Sequence, residues 1–198
     1  MRCTRSTCVV AVGVVALVGM AGCTHGRSGA AGLETSTTTT RVTASSSPTP
    51  SVGAQDAAKA ANEAAAVDAY QHYFDVTQEV EQQPGMTGWE DEILPLVSGD
   101  YRQDLTNLYT QAQAQELRAT GPSVLVSSNP VDYISDPTGA GHEQVVLDVC
   151  IDATGSNFVF PDGTLESTSF RGVDTVTMQH QSGQWMVDKS ETKESETC

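Results

Sequence analysis

Asp148 and Asp152 bracket Cys150 in the run Leu147-Asp148-Val149-Cys150-Ile151-Asp152. Two carboxylates held close together can divide the roles of acid and base, or ligate a hard cation. On a strand, though, positions four apart stand about 13 Å from each other, too far to share one proton or one Ca²⁺. The pair reads instead as a solvated face beside the cysteine. The 4 histidines do not cluster: His25 lies in a polar stretch, His72 on the polar side of a helix, His142 in a loop and His180 near a turn. Asp68, His72 and Asp75 can share a helix face, a spacing that is also ordinary surface patterning. No HExxH, paired CxxC, Gly-x-Ser-x-Gly or phosphate loop occurs, so neither a metal nor a cofactor is expected. Tyr70, Tyr73, Tyr101 and Tyr133 are the available hydroxyl donors, with Tyr70 and Tyr101 on apolar stripes where packing is the default role.

The remaining chemistry belongs to the 5 cysteines. Cys3 and Cys8 precede or open an uncharged apolar run, Val9 to Met20, which Arg2 and Arg5 lead with positive charge. A positive start, an apolar run and small residues make residues 1–22 an export signal. The run is about 12 residues, short of the roughly 20 a helix needs to cross the hydrocarbon core. Thr24, His25, Gly26 and Arg27 follow it, so it cannot be extended. Met20-Ala21-Gly22-Cys23 resembles the bacterial lipobox, with Met20 where leucine is most common. That resemblance implies a diacylated Cys23, cleavage on its N-terminal side, and a chain held on the outer face of the cell membrane. Each buried methylene contributes about 0.8 kcal/mol, and two or more acyl chains anchor stably. After cleavage Cys150 and Cys198 remain, and one surviving pair in an exported chain invites a disulfide. Closing a loop of about 48 residues is worth on the order of 4 kcal/mol in the entropic treatment.

The formal charge is −15, and loss of Arg2 and Arg5 makes the mature chain about two units more acidic. Such a field repels nucleic acid and anionic headgroups, so neither is an expected partner. From Cys23 to Gln55 the composition turns to Thr, Ser, Gly, Pro and Ala, as in Thr37-Thr38-Thr39-Thr40 and Ser45-Ser46-Ser47-Pro48-Thr49-Pro50. With few apolar groups to bury, residues 23–55 are expected to be a disordered tether. As a coil they span about 30 Å, as a plain spacer or one carrying O-linked sugars. Residues 56–198, roughly 140, are enough for a self-sufficient core.

These residues must be positioned by elements whose periods can be read. Ala57 to Ala66 leads into Val67, Tyr70, Phe74, Thr77 and Val80, an apolar helical stripe ended by Pro84-Gly85. A short helical piece, Trp89 to Val97, is limited by Pro95. Tyr101, Leu105, Leu108, Ala112 and Leu117 outline a second long helix, stopped at Gly121-Pro122. The period then becomes two. Val124 and Val126 alternate with polar neighbours, and Val131 to Ile134 is extended. Val145, Leu147, Val149 and Ile151 share one face opposite Val146, Asp148, Cys150 and Asp152. Phe158-Val159-Phe160 and Leu165 read as one hairpin, and Val173 to Met178 with Trp185 to Val187 as another across Ser182-Gly183. Helices followed by an antiparallel sheet predict an α+β fold with the helices packed on one sheet face.

The Asp-Val-Cys-Ile-Asp strand (148–152), an Asp-Gly turn and a Gly-x-Trp strand leading to Cys198 resemble small actinobacterial lipoproteins of the NTF2-like, cone-shaped α+β type. The resemblance spans about residues 65–198. It implies a Cys150–Cys198 disulfide and a curved sheet wrapped on helices, but no activity, because this fold hosts enzymes and binding modules alike. Phe74, Leu105 and Trp185 are expected to point inward and to line a ligand pocket if the cone is hollow. The expectation is a lipid-anchored envelope protein, a non-enzymatic binding or accessory module for an envelope protein or a small apolar ligand. The alternatives are an extracytoplasmic isomerase or dehydratase using a pocket Asp and Tyr, and a prophage-type superinfection-exclusion lipoprotein.

Overall fold

Alanine carries the strongest intrinsic helix preference, and the stretch from Val52 to Ala66 is rich in it. The computed structural model, which describes residues 52–136, 138, 140–166, 170–193 and 198, begins with a 30-residue helix, α1 (Val52–Glu81). It takes in the last four residues of the expected tether, 52–55, so that Gly53 and Gln55 continue the alanine-rich helix rather than the polar spacer. Its first buried residue is Ala66, after which Tyr70, Tyr73, Phe74, Thr77 and Val80 turn inward at steps of three and four. Pro84 ends the run. Cys23, where a lipid anchor is expected, the expected export signal and most of the expected tether lie outside the described residues.

The piece expected over 89–97 is split: α2 (Trp89–Glu92) gives way to a 3-10 turn, Leu94–Leu96, around Pro95, which has no N–H to continue a helix. The second long helix, α3 (Gly99–Ala114), buries Leu105, Tyr109 and Ala112. The Trp89 and Tyr109 rings stack with centroids 5.7 Å apart and tie α2 to α3.

Among the described residues six strands follow: β1 (Arg118–Ala119), β2 (Val124–Ile134), β3 (Gln144–Asp152), β4 (Phe158–Val159), β5 (Arg171–Gln181) and β6 (Gln184–Lys193). The main sheet has the order β2-β3-β5-β6, antiparallel throughout. Val124 to Ile134 forms one strand rather than two, carried past Pro130 by two register shifts. The hairpin expected at 158–165 forms, with the Phe160 N–H donating to the Thr164 carbonyl at 2.9 Å and the Glu166 N–H to the Phe158 carbonyl at 2.8 Å. Beyond the local bridge Val159–Leu165, β4 pairs on its other side with β1.

Alternation sets the faces. Val145, Leu147, Val149, Val176, Met178 and Val187 are fully buried against α1, α2 and α3. α1 lies across β2, β3 and β6, and α3 along β6. The fold is α+β, with helices on one face of an antiparallel sheet. Cys150 emerges on the opposite face and joins Cys198, their Cα atoms 5.9 Å apart across a sequence separation of 48. β6 carries a bulge, because Thr177 pairs with Lys189 while Met178 pairs with Val187. Asp188 is thereby displaced from the register.

Candidate functional site

Between α1, the start of α3 and the helix-facing side of the sheet lies a hollow of about 220 Å³. The stripe that packs α1 supplies one wall: Tyr70, Tyr73, Phe74 and Thr77, with Glu81 one helical step further on. Tyr101 comes from the first turn of α3. The sheet contributes Ile151, Val187, Ser190 and Asp174, the last in the same phase of β5 as the buried Val176 and Met178. The segment after β3 closes one side with Ala153, Ser156 and Phe158.

The polar groups here are few and specific. The Tyr73 and Tyr101 hydroxyls are hydrogen-bonded to each other at 3.0 Å, and the Tyr70 and Tyr73 rings tilt against one another at 5.9 Å. The Tyr109 hydroxyl donates to Glu81 Oε1 at 3.1 Å. Glu81 keeps part of its surface open as a residue, yet protein packs densely around its carboxyl. Burial pushes that carboxyl up to about 7, and the Tyr109 hydrogen bond only partly offsets the shift. Burial also raises the tyrosines, Tyr73 and Tyr109 well above the usual phenol range, so all stay protonated donors near neutral pH. Asp174 Oδ1 is buried and has no hydrogen-bond partner among the described residues. A carboxylate oxygen in that position has given up water and received nothing in return.

Glu81 and Phe158 also line a second hollow, of about 470 Å³, whose other walls include Met86, Leu108, Ala112 and Leu117. It is larger and lies beside the exposed Leu108, with Glu81, Tyr109, Gln111, Gln115 and Glu166 as its polar lining. The first hollow is the better candidate because donors and acceptors from three elements meet in it.

The residues singled out in the sequence are distributed unevenly around this site. Phe74 lines the hollow. Leu105 does not; it is buried in the core cluster. Trp185 does not either, its ring lying 5.2 Å from that of His180 near the β5–β6 turn. Asp148 and Asp152 are on the far face of the sheet, each separately engaged. Lys193 Nζ meets Asp148 at 2.9 Å, and Asp152 accepts the Thr154 hydroxyl at 2.6 Å with Arg171 at 3.4 Å. His72 and His142 are exposed, and His180 pairs with Glu143 at 3.4 Å. Of the tyrosines, Tyr133 is taken by Asn62 at 2.9 Å, whereas Tyr70, Tyr73 and Tyr101 all face the hollow. Among the described residues no group of three or more His, Cys, Asp or Glu side chains converges to hold a metal ion.

Glu81 and Asp174 are the functional candidates that sequence inspection passed over. Their signals were present. Glu81 continues the stripe Phe74, Thr77, and Asp174 occupies the same phase of its strand as the buried Val176 and Met178. A charge in the buried phase of an element is the mark to look for.

No protein-family model and no curated protein matches the sequence. Among solved structures the chain is similar to the intermembrane space region of chloroplast protein ARC6, with 8% identity, a TM-score of 0.46, and coverage of 64% of this chain and 95% of that one. A likeness of that size carries no argument about function. Among the described residues no helix is long and apolar enough to cross a membrane.

Proposed function

We propose that the chain is a lipid-anchored protein of the cell envelope whose NTF2-like domain is a binding module for a small ligand held in the hollow between α1 and the sheet. The observation that carries this reading is the hollow itself. It combines aromatic walls with a few buried polar groups from separate elements, the composition of small-molecule sites. At about 220 Å³ it is smaller than the roughly 300–1,000 Å³ of sites for drug-sized molecules, which directs attention to smaller ligands. Titrating the full chain with a fluorescent apolar probe tests it: saturable one-to-one binding supports the module, and its absence moves function to the outer surface. The anchor rests on Met20-Ala21-Gly22-Cys23 at the end of the apolar run. Cys23→Ala should move the protein from the detergent phase to the soluble fraction, and unchanged partitioning would remove the anchor from the proposal.

One observation favours a second reading, an extracytoplasmic isomerase or dehydratase. A carboxyl that titrates at about 7 is suited to take and return a proton at neutral pH, and protonated tyrosine hydroxyls nearby can stabilise a developing oxyanion. Turnover of a carbonyl substrate, lost in Glu81→Gln with binding retained, would establish it.

A further inference from the structure

We infer that this hollow selects a small organic cation, an ammonium group borne on a compact apolar body. The inference rests on the binding-module reading and specifies its ligand class. Two acidic side chains enter the hollow from different elements, Glu81 from α1 and Asp174 from β5, and no Lys, Arg or His is among the described residues lining it. The ion pairs of the described residues are made elsewhere: Lys59 with Glu63, Arg171 with Asp152, His180 with Glu143, Lys189 with Glu191, and Lys193 with Asp148. Asp174 Oδ1 is buried without a partner among the described residues, and the hydrogen bond to Glu81 comes from a neutral phenol. A buried carboxylate lacking a counter-charge is costly, and an entering cation removes that cost whereas a neutral or anionic guest does not.

The rest of the lining suits an organic rather than an inorganic cation. Tyr70, Tyr73, Phe74 and Phe158 supply aromatic rings, whose faces attract alkylammonium groups. A hard metal ion instead needs about six to eight oxygen ligands, and no group of three or more acidic, His or Cys side chains gathers among the described residues. Ile151 and Val187 complete an apolar surface for the body of the guest.

The test compares isosteres on the unmodified full chain, by calorimetric titration with choline, its neutral carbon analogue 3,3-dimethylbutan-1-ol, and the anion 3,3-dimethylbutanoate. Choline should bind about tenfold or more tightly than the neutral analogue, with the anion weakest. Asp174→Asn should lose about tenfold for choline and leave the neutral analogue unchanged. If that variant does not fold, Glu81→Gln is read in the same way. Equal or tighter binding of the neutral analogue overturns the cation inference and leaves the binding module standing. No saturable binding of any of the three, together with no binding of the apolar probe, overturns both.

Discussion

The Ser98 hydroxyl donates to Asp188 Oδ1 at 2.8 Å, joining residues 90 positions apart. The same corner is tied by the backbone, since Ser98 N–H donates to the Val187 carbonyl at 2.9 Å. Asp188 reaches Ser98 because the β6 bulge takes it out of register, and Gly99 lets it stay there. Gly99 has φ +54°, and a Cβ on it would fall 2.5 Å from the Asp188 carboxylate. The start of α3, and with it Tyr101 in the hollow, is thus set by a lock between a bulge and a glycine.

Gly99→Ala should therefore destabilise the fold by roughly 1–3 kcal/mol, from the left-handed backbone alone, with the crowding of Asp188 added. Urea unfolding midpoints measure this. Combining it with Asp188→Ala should recover part of the loss, since the crowded carboxylate is gone; simple additivity would mean the two residues are not coupled.

Stability should fall as pH rises through neutrality. The Glu81 carboxyl titrates at about 7 in the folded protein against an ordinary 4.5. The folded state therefore holds a proton the unfolded chain has lost, and stability contributed by the neutral form declines between those two values. The full loss is on the order of 3 kcal/mol. Glu81→Gln should flatten this window in a series of melting temperatures. Asp136, Asp152 and Asp162, held low chiefly by hydrogen bonds from Thr138, Thr154 and Thr164, act in the opposite sense and only in acid, below the ordinary carboxylate range.

Cys198→Ser should lower the melting temperature by about 8–16 °C, on the basis of about 4 kcal/mol for a loop of this length. Alkylation of the unreduced protein, followed by intact-mass measurement, should find neither Cys150 nor Cys198 free. Two modified thiols would show that the bridge does not form in solution.

Neutralising the acidic pair beside that bridge, Asp148→Asn with Asp152→Asn, should leave ligand binding unchanged. Both carboxylates pair on the sheet face away from the hollow. A binding loss in titration calorimetry would place the site on that face instead.

What could be read from the sequence was periodicity, and it located faces well. Val145, Leu147 and Val149 turn inward on β3, and Tyr70, Phe74, Thr77 and Val80 on α1, as the alternation and the stripe predict. Periodicity cannot say whether an inward position meets another side chain or a space. Phe74 meets the hollow, and Leu105, equally apolar on an equally regular stripe, is packed in the core. Nor does it reveal convergence between distant segments. Asp148 and Asp152 drew attention because they are neighbours in the chain, while Glu81 and Asp174 line one hollow only because α1 packs across the sheet. The pairing of β4 with β1 was hidden for the same reason, since local turn residues favoured Leu165 over Arg118 and Ala119.

The interruptions in β2 have a consequence for life at high concentration. β2 is an outer strand of the main sheet, and it exposes Val124, Val126, Val131 and Ile134. A straight outer strand with such side chains would offer its free backbone groups as a template for another chain, the first step toward fibrous aggregation. The register shifts at Leu125–Ser127 and Pro130–Asp132 break the repeat of those groups, and Pro130 has no N–H to give. No long uninterrupted ladder can grow from this rim, so the apolar side chains along it can be displayed without inviting a neighbouring molecule to extend the sheet.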